Sequence, residues 1–349
     1  METVRLGKTG AMVSTLGFGG IPIQRLTEDE AVAVIRKCID LGITYIDTAN
    51  GYTTSEERIG RAAAGSRDGL FIATKTHARD RAGIKRDLKL SLERMGCESI
   101  DLYQFHQVGT MDQLKTVLDP GGSMLVLEEA VQAGLVKHIG ITSHSMDVAK
   151  EAVKSDRFET IMFPFNFIAK EAADELLPLA REHDVGFIAM KPLGGGMLDN
   201  AALCFKYLLQ FPDIIPIPGI EQPHEIEEIV KIMNGTKELT EEEESEMTRL
   251  TDELGTRFCR RCDYCQPCTE EIAISTVMVS ASFAKRFPPE RFFTGRIASV
   301  MEKASDCSDC GECEERCPYQ LPIRVMMAEQ AEWYDKKRSE YLKQTGNRL

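Results

Sequence analysis

Along the first two thirds of the chain, apolar and polar positions alternate between two periods. Short β-branched and aromatic runs recur at Ser14–Phe18, Ile43–Ile46, Leu70–Thr74, Ile100–Phe105, Val136–Ile141, Thr160–Phe165, Val185–Ala189 and Ile214–Ile217, each the length of a buried strand. Between them, helical spacing runs through Glu28–Leu41, Glu56–Ala64, Ile84–Met95, Met124–Ala133, Met146–Lys154, Ala172–His183 and His224–Met233, as in amphipathic helices packed by one face. Eight such strands alternating with helices over about 230 residues match a (β/α)8 TIM barrel, and a doubly wound open sheet gives the same alternation. The phosphate loop separates the two. A doubly wound sheet places G-x-G-x-x-G directly after its first strand; here Gly17-Phe18-Gly19-Gly20-Ile21-Pro22 stands at that point, and a proline, with fixed φ and no N–H, is awkward in that turn. The pattern favours an α/β barrel. Ahead of it, Val4–Leu6 and Met12–Ser14 flank Gly7-Lys8-Thr9-Gly10, a hairpin expected to cap the N-terminal mouth.

The pattern then changes. Residues Leu239–Leu254 are acidic and free of Gly and Pro, and eight of the eleven cysteines fall in two tight runs after residue 255. The expected organisation is a barrel over 1–238, a helical connector over 239–255, a small and mostly helical domain over 256–330 and a helical tail over 331–349 with Trp333 and Tyr334. A chain of 349 residues, 43% hydrophobic, can bury one large core and one small one. The net charge of −13, with no long Lys/Arg run, argues against nucleic acid or an anionic membrane as obligatory partner. No apolar run has the length needed to cross a bilayer. The charged, turn-like start METVRLGKTG is not a secretory segment, so a cytoplasmic, reducing location is expected and disulfides are not.

Four polar residues sit at predicted strand ends, where barrels of this kind carry their chemistry: Asp47, Tyr52 in the loop that follows, Lys75 and His106. Taken singly, Asp47 also reads as a helix cap, Lys75 as a solvated strand end and His106 as a core histidine. On neighbouring strands they explain one another. A phenol with a pKa of about 10 is a poor proton donor at neutral pH, a nearby ammonium favours its phenolate, and a carboxylate holds that ammonium in place.

The segment Gly42-Ile43-Thr44-Tyr45-Ile46-Asp47-Thr48-Ala49-Asn50-Gly51-Tyr52, followed by Ser55-Glu56-Glu57 and Gly60, resembles the signature of the aldo-keto reductase family. Ile72–Lys75 and Asp101–His106 resemble its other two catalytic segments, and Ile139-Gly140-Ile141-Thr142-Ser143 and Ile217-Pro218-Gly219 extend the likeness to the cofactor side, from about Val4 to Met233. The resemblance implies metal-free hydride transfer between NAD(H) or NADP(H) and a small carbonyl or alcohol substrate. It implies that Tyr52 is the general acid, or as phenolate the base in reverse, that Lys75 lowers its pKa, that Asp47 pairs with Lys75 and that His106 orients the carbonyl. It further implies cofactor contacts from Gly19, Gly20, Thr142, Ser143, Ile217, Pro218 and Gly219. The stretch Met190-Lys191-Pro192-Leu193-Gly194-Gly195-Gly196 resembles the iron–sulfur branch of the family, with Lys191, Pro192, Leu193 and Gly194 near the pyrophosphate. The chain departs from the family at Met162, where a Gln is usual, and at Met190-Lys191, where an aromatic is usual. Glu221 and Glu225 would repel an adenosine 2′-phosphate and point to NAD; acidic residues are also common at helix starts.

The run Cys307-x2-Cys310-x2-Cys313-x3-Cys317-Pro318 is the bacterial ferredoxin spacing. The earlier run, Cys259, Cys262, Cys265 and Cys268, has a shorter last step and Thr269 where related proteins have proline. By the crossed ligation of two-cluster ferredoxins, Cys259, Cys262, Cys265 and Cys317 would hold one [4Fe–4S] cluster, and Cys307, Cys310, Cys313 and Cys268 the other. Structural zinc is the competing reading. The isolated Cys38, Cys97 and Cys204 read as small buried hydrophobes. The expected protein is an oxidoreductase whose clusters either exchange electrons with a one-electron redox protein or brace the C-terminal region. A nicotinamide-loaded redox sensor and an electron-transfer subunit with a docking barrel are the alternatives; the complete set Asp47, Tyr52, Lys75 and His106 favours the enzyme.

Overall fold

The computed structural model describes residues 1–346. An antiparallel hairpin of β1 (Thr3–Arg5) and β2 (Met12–Ser14) precedes eight parallel strands. These are β3 (Gly17–Gly19), β4 (Tyr45–Asp47), β5 (Phe71–Thr76), β6 (Ile100–Phe105), β7 (Val136–Thr142), β8 (Thr160–Pro164), β9 (Gly186–Met190) and β10 (Ile214–Ile217). Helices follow them: α1 (Glu28–Asp40), α2 (Ser55–Ala63), α3 (Arg81–Met95), α4 (Met111–Leu118), α5 (Ser123–Gln132), α6 (Met146–Lys154), α7 (Ala172–Glu182), α8 (Ala201–Leu208) and α9 (Pro223–Met233). The strands are neighbours in chain order. Gly19 closes the ring by a parallel bridge to Gly219, its N–H donating to the Pro218 carbonyl at 2.8 Å. The sheet is a barrel with no free edge. That closure needs glycine, because a Cβ on Gly19 would stand 2.8 Å from the Pro218 oxygen and 2.9 Å from the Ile217 oxygen.

The first expected strand, Ser14–Phe18, divides in two. Ser14 Oγ donates to the Leu16 carbonyl at 2.6 Å and accepts from Thr44 N at 2.9 Å, which turns the chain at Thr15 and Leu16 before β3 begins. Helices α4 and α8, eight residues each, lie outside the helical stretches expected from the sequence pattern. The hairpin closes the N-terminal end: Leu6 and Val13, 1% and 0% exposed, cluster with Tyr45, Leu102, Ile188 and Ile215 inside the barrel. Lys8 N donates to the Asp184 carbonyl at 2.6 Å, and the Arg5 guanidinium grips the Asp184 carboxylate at 2.6 and 2.9 Å. The strands' C-terminal ends are left for chemistry.

Contacts divide the chain into Met1–Glu243 and Glu244–Leu349. Helix α10 (Glu241–Gly255) starts in the first unit and ends in the second, with no buried residue along it. The second unit holds α11 (Ile274–Met278), α12 (Ser280–Ala284), α13 (Pro289–Phe293), α14 (Arg296–Glu302), α15 (Glu312–Glu315) and α16 (Ile323–Thr345). Its core joins Ile272, Val277, Phe292, Met326, Met327 and Tyr334. Residues 331–345 continue α16 without a break, so the expected separate tail is one helix with the segment before it. Tyr334, on that helix, packs its ring 5.4 Å from Phe292 and 5.7 Å from Phe293. Among the described residues no helix is long and apolar enough to cross a membrane.

Candidate active site and thiol cavities

Strand register brings the polar residues together. Asp47 is paired with Ala73, and Lys75, two residues on, is paired with Gln104; with a side-chain period of two, all of these face the barrel interior. Lys75 therefore lies within β5 rather than after its end, and His106 follows β6 directly. Lys75 Nζ donates to Asp47 Oδ2 at 2.5 Å and to the Thr48 carbonyl at 2.6 Å, and Gln104 Nε2 approaches Asp47 Oδ1 at 3.4 Å. Burial pushes the Asp47 carboxyl above the usual carboxylate range, and the Lys75 charge opposes that shift.

The loop after β4 carries Tyr52 over this pair. Its backbone is fixed by Tyr52 N to the Ala49 carbonyl (2.9 Å), Asn50 N to the Lys75 carbonyl (3.0 Å) and Ser55 N to the Tyr52 carbonyl (2.8 Å). Lys75 Nζ lies 5.2 Å from the centre of the Tyr52 ring. The His106 ring meets the Tyr52 ring edge-on at 5.6 Å, and the His77 ring stacks on His106 at 4.1 Å. Arg79 Nη2 donates to the His106 carbonyl at 2.5 Å. The arrangement offers a phenol, an imidazole and a buried ammonium–carboxylate pair at one end of the barrel.

The residues expected on the cofactor side lie at the ends of β3, β7, β9 and β10. Gly19, Ile217, Pro218 and Gly219 form the barrel closure, and a Cβ on Gly20 would come within 2.7 Å of the Asp47 carbonyl. Thr142 Oγ1 accepts from Gln107 N at 2.7 Å, and Ser143 Oγ donates to the Val108 carbonyl at 2.7 Å, so both hydroxyls shape the turn after β6. After β9, Lys191 turns into a left-handed conformation, φ 58°, and Pro192 and Leu193 lead to Gly194, Gly195 and Gly196 at φ 59°, 71° and 86°. Glu225 Oε2 accepts from the N–H groups of Glu221 and Gln222 at 2.7 and 2.9 Å, capping α9, while Glu221 pairs with Arg25 at 3.2 Å. Of the two acids expected to face the ribose, one is therefore spent on a helix start and the other is ion-paired.

In the second unit the cysteines line two cavities. Cys259, Cys262, Cys265 and Cys317 line one, with Tyr319 and Ile323 among its walls. Cys268, Cys307, Cys310 and Cys313 line the other. Each takes three thiols from one run and the fourth from the other. The four-thiol donor sets and the room between them fit a cubane cluster in each. Cys38 and Cys204 are fully buried with thiols pushed up to about 12, and Cys97 is partly buried.

Gln104, His77 and Arg79 were not marked by the sequence reading. Gln104 had a signal, a lone amide among apolar neighbours in a buried strand; His77 and Arg79 stand in a loop, where no period points.

A family model for the aldo/keto reductase family matches residues 15–202, and one for a 4Fe-4S dicluster domain matches residues 258–322. The chain is 30% identical over 217 residues to the uncharacterized oxidoreductase YqkF of Bacillus subtilis, covering 58% of this chain and 68% of that one. It is 29% identical over 218 residues to the aldo-keto reductase YhdN of the same organism, over 57% of this chain and 64% of the relative. Among solved structures, the holo form of aldo-keto reductase AKR11C1 from Bacillus halodurans superposes with a TM-score of 0.63 at 26% identity, covering 72% of this chain and 96% of that one. An aldo/keto reductase from Klebsiella pneumoniae, in complex with NADP and acetate, has the same fold with a TM-score of 0.60 at 22% identity, over 72% of this chain and 95% of its own.

Proposed function

Because the chain belongs to the aldo/keto reductase family and carries a 4Fe–4S domain, we propose that it moves hydride between a nicotinamide dinucleotide and a small carbonyl or alcohol. The observation that carries this reading is the placement of Tyr52 over the buried Lys75–Asp47 pair and beside His106. In reduction, Tyr52 gives its hydroxyl proton to the carbonyl oxygen, and the Lys75 ammonium faces the charge left behind. Asp47 and the Thr48 carbonyl hold that ammonium. His106 orients the substrate oxygen, its ring backed by His77.

The residues fit the dinucleotide: three successive left-handed glycines, 194 to 196, carry no Cβ, so a pyrophosphate can approach the backbone after β9, next to Lys191. When bound, the nicotinamide supplies or accepts the hydride. Glu225 caps α9 and Glu221 is paired with Arg25, so neither acid decides between NAD(H) and NADP(H), and the nucleotide is proposed without a preference. Two [4Fe–4S] clusters are proposed, one per thiol cavity; when bound they supply single-electron storage, for a redox protein partner or as a brace.

Anaerobically purified protein should oxidise NADH or NADPH in the presence of aldehydes or ketones, and Tyr52→Phe should lower kcat by about 10²–10⁴-fold with nucleotide still bound. Nucleotide binding without turnover of any carbonyl would favour the sensor reading instead.

A further inference from the structure

Arg79, in the turn between β5 and α3, places a guanidinium at the rim of the proposed active site. Its Nη1 donates to the Thr76 and Ala78 carbonyls at 3.4 and 3.1 Å, and its Nη2 to the His106 carbonyl at 2.5 Å. Its contacts are to backbone carbonyls alone, and no Asp or Glu among the described residues pairs with it. Two other partly buried arginines in the barrel have acids, Arg67 with Asp101 at 2.6 Å and Arg94 with Glu56 at 3.2 Å, whereas Arg58 donates to the Ile23 and Leu26 carbonyls and lies away from the Tyr52–His106 pair. Acid is not scarce in a chain with 55 Asp and Glu against 42 Lys and Arg. Burial alone lowers the Arg79 guanidinium to about 10, with no carboxylate opposing it. A partly desolvated cation without a counter-charge, with N–H donors beyond those spent on carbonyls, is suited to a planar anion.

The neighbours place that anion beside the reacting carbonyl. Arg79 grips the backbone of His106, whose ring faces Tyr52 at 5.6 Å. His77 stacks on the other side of His106, and its Cδ2 stands 3.5 Å from where a Cβ on Gly51 would be, next to Tyr52 in the chain. In the ring of eight strands β5 lies four steps from β9 in either direction. The cation is thus on the wall opposite the glycine turn proposed for the pyrophosphate.

Building on the reductase reading above, we propose that this site selects carbonyl substrates that carry a carboxylate, which Arg79 binds while the carbonyl meets Tyr52 and His106. In that reaction the C=O π bond breaks and a C–H bond forms with the hydride, the oxygen takes the Tyr52 proton, and the nucleotide loses the two electrons the alcohol gains. The carboxylate is held and unchanged.

The test uses full-length protein with its clusters, saturated with nucleotide so that the pyrophosphate position is filled. Calorimetry with benzoate and benzamide should show benzoate binding tighter by about tenfold or more, the worth of a charge-assisted hydrogen bond. Kinetics with 4-carboxybenzaldehyde and 4-formylbenzamide should show a similar ratio in kcat/KM, residing in KM. In Arg79→Gln both ratios should fall toward one, and Arg79→Lys should retain part of each. Parity in the wild-type protein, or a preference that survives Arg79→Gln, overturns the anion site. Should Arg79→Gln fail to fold, the wild-type ratios and Arg79→Lys still decide. Equal reduction of both aldehydes would leave the reductase reading standing and remove the anion site; tight benzoate binding with no carbonyl reduced would do the reverse.

Discussion

Lys75 Nζ lies 2.5 Å from Asp47 Oδ2, and the two side chains are 1% and 4% exposed. A charge pair this deep costs desolvation that an apolar pair would avoid, so its presence speaks for function rather than for stability. The pair spans adjacent strands, which fixes the ammonium to the barrel wall rather than to a loop.

That argument predicts a separable outcome. Lys75→Met should lower carbonyl reduction by about 10²-fold or more and the unfolding free energy by about 3–5 kcal/mol, because a buried carboxylate is left without its cation. Adding Asp47→Leu should recover most of the stability and none of the activity. Urea titration of both variants checks this; a double variant as unstable as the single one would show that the pairing argument fails.

Gly19→Ala should destabilise the barrel by about 1–3 kcal/mol, as overpacking does in a tight interior. The new Cβ stands 2.8 Å from the Pro218 oxygen, a backbone atom that cannot swing aside. A thermal melt reads the effect, and an unchanged melting temperature would mean that the closure relaxes freely.

The crossed thiol sets predict which cysteine variants resemble one another. Cys317→Ser should alter the same electron paramagnetic resonance signal as Cys262→Ser, and Cys268→Ser the same signal as Cys310→Ser, since each pair lines one cavity. Grouping by sequence run instead, with Cys317 alongside Cys310, would refute the crossing.

The Arg181 guanidinium meets the Asp213 carboxylate at 2.6 Å through both nitrogens and holds that carboxyl below its usual range. A folded pKa below the unfolded one means stabilisation present above the unfolded value, about 3.9 for Asp, and lost as pH falls through the folded value. Asp213→Asn should therefore lower stability at neutral pH, by about 1 kcal/mol or less because the pair is partly exposed. The difference from the parent should close at acid pH. Denaturant titrations at neutral and acid pH decide it.

Much of the candidate site's placement was legible because strand ends are set by period. Asp47, Lys75 and His106 each close or follow an apolar run, whereas the register that aligns Lys75 with Gln104 is a tertiary fact that strand order alone does not fix. The split of Ser14–Phe18 was hidden, because it depends on the Ser14 hydroxyl meeting Leu16 and Thr44, a tertiary contact. For Glu225 the helix-start alternative is the one the structure shows, and Gln222 three residues earlier, followed by Pro223, adds to that signal. His77 and Arg79 escaped notice because a loop has no period, and the contacts that give them meaning come from β6.

Each thiol cavity borrows its fourth sulfur across the sequence, Cys317 for the early run and Cys268 for the late one, and this bears on how the protein is made. A ribosome releases the chain from its N-terminus and domains fold as units while it does so. Gly219, which closes the barrel, is therefore synthesised before the first cysteine of either run, yet no cavity has four sulfurs until Cys313 is made, and the early run stays incomplete until Cys317. The proposed clusters can therefore be fully ligated only after translation has passed Cys313 for one cavity and Cys317 for the other. A message cut short before Cys317 can still encode the barrel, but it cannot encode the four thiols of the early-run cavity, so full ligation marks chains extended at least that far.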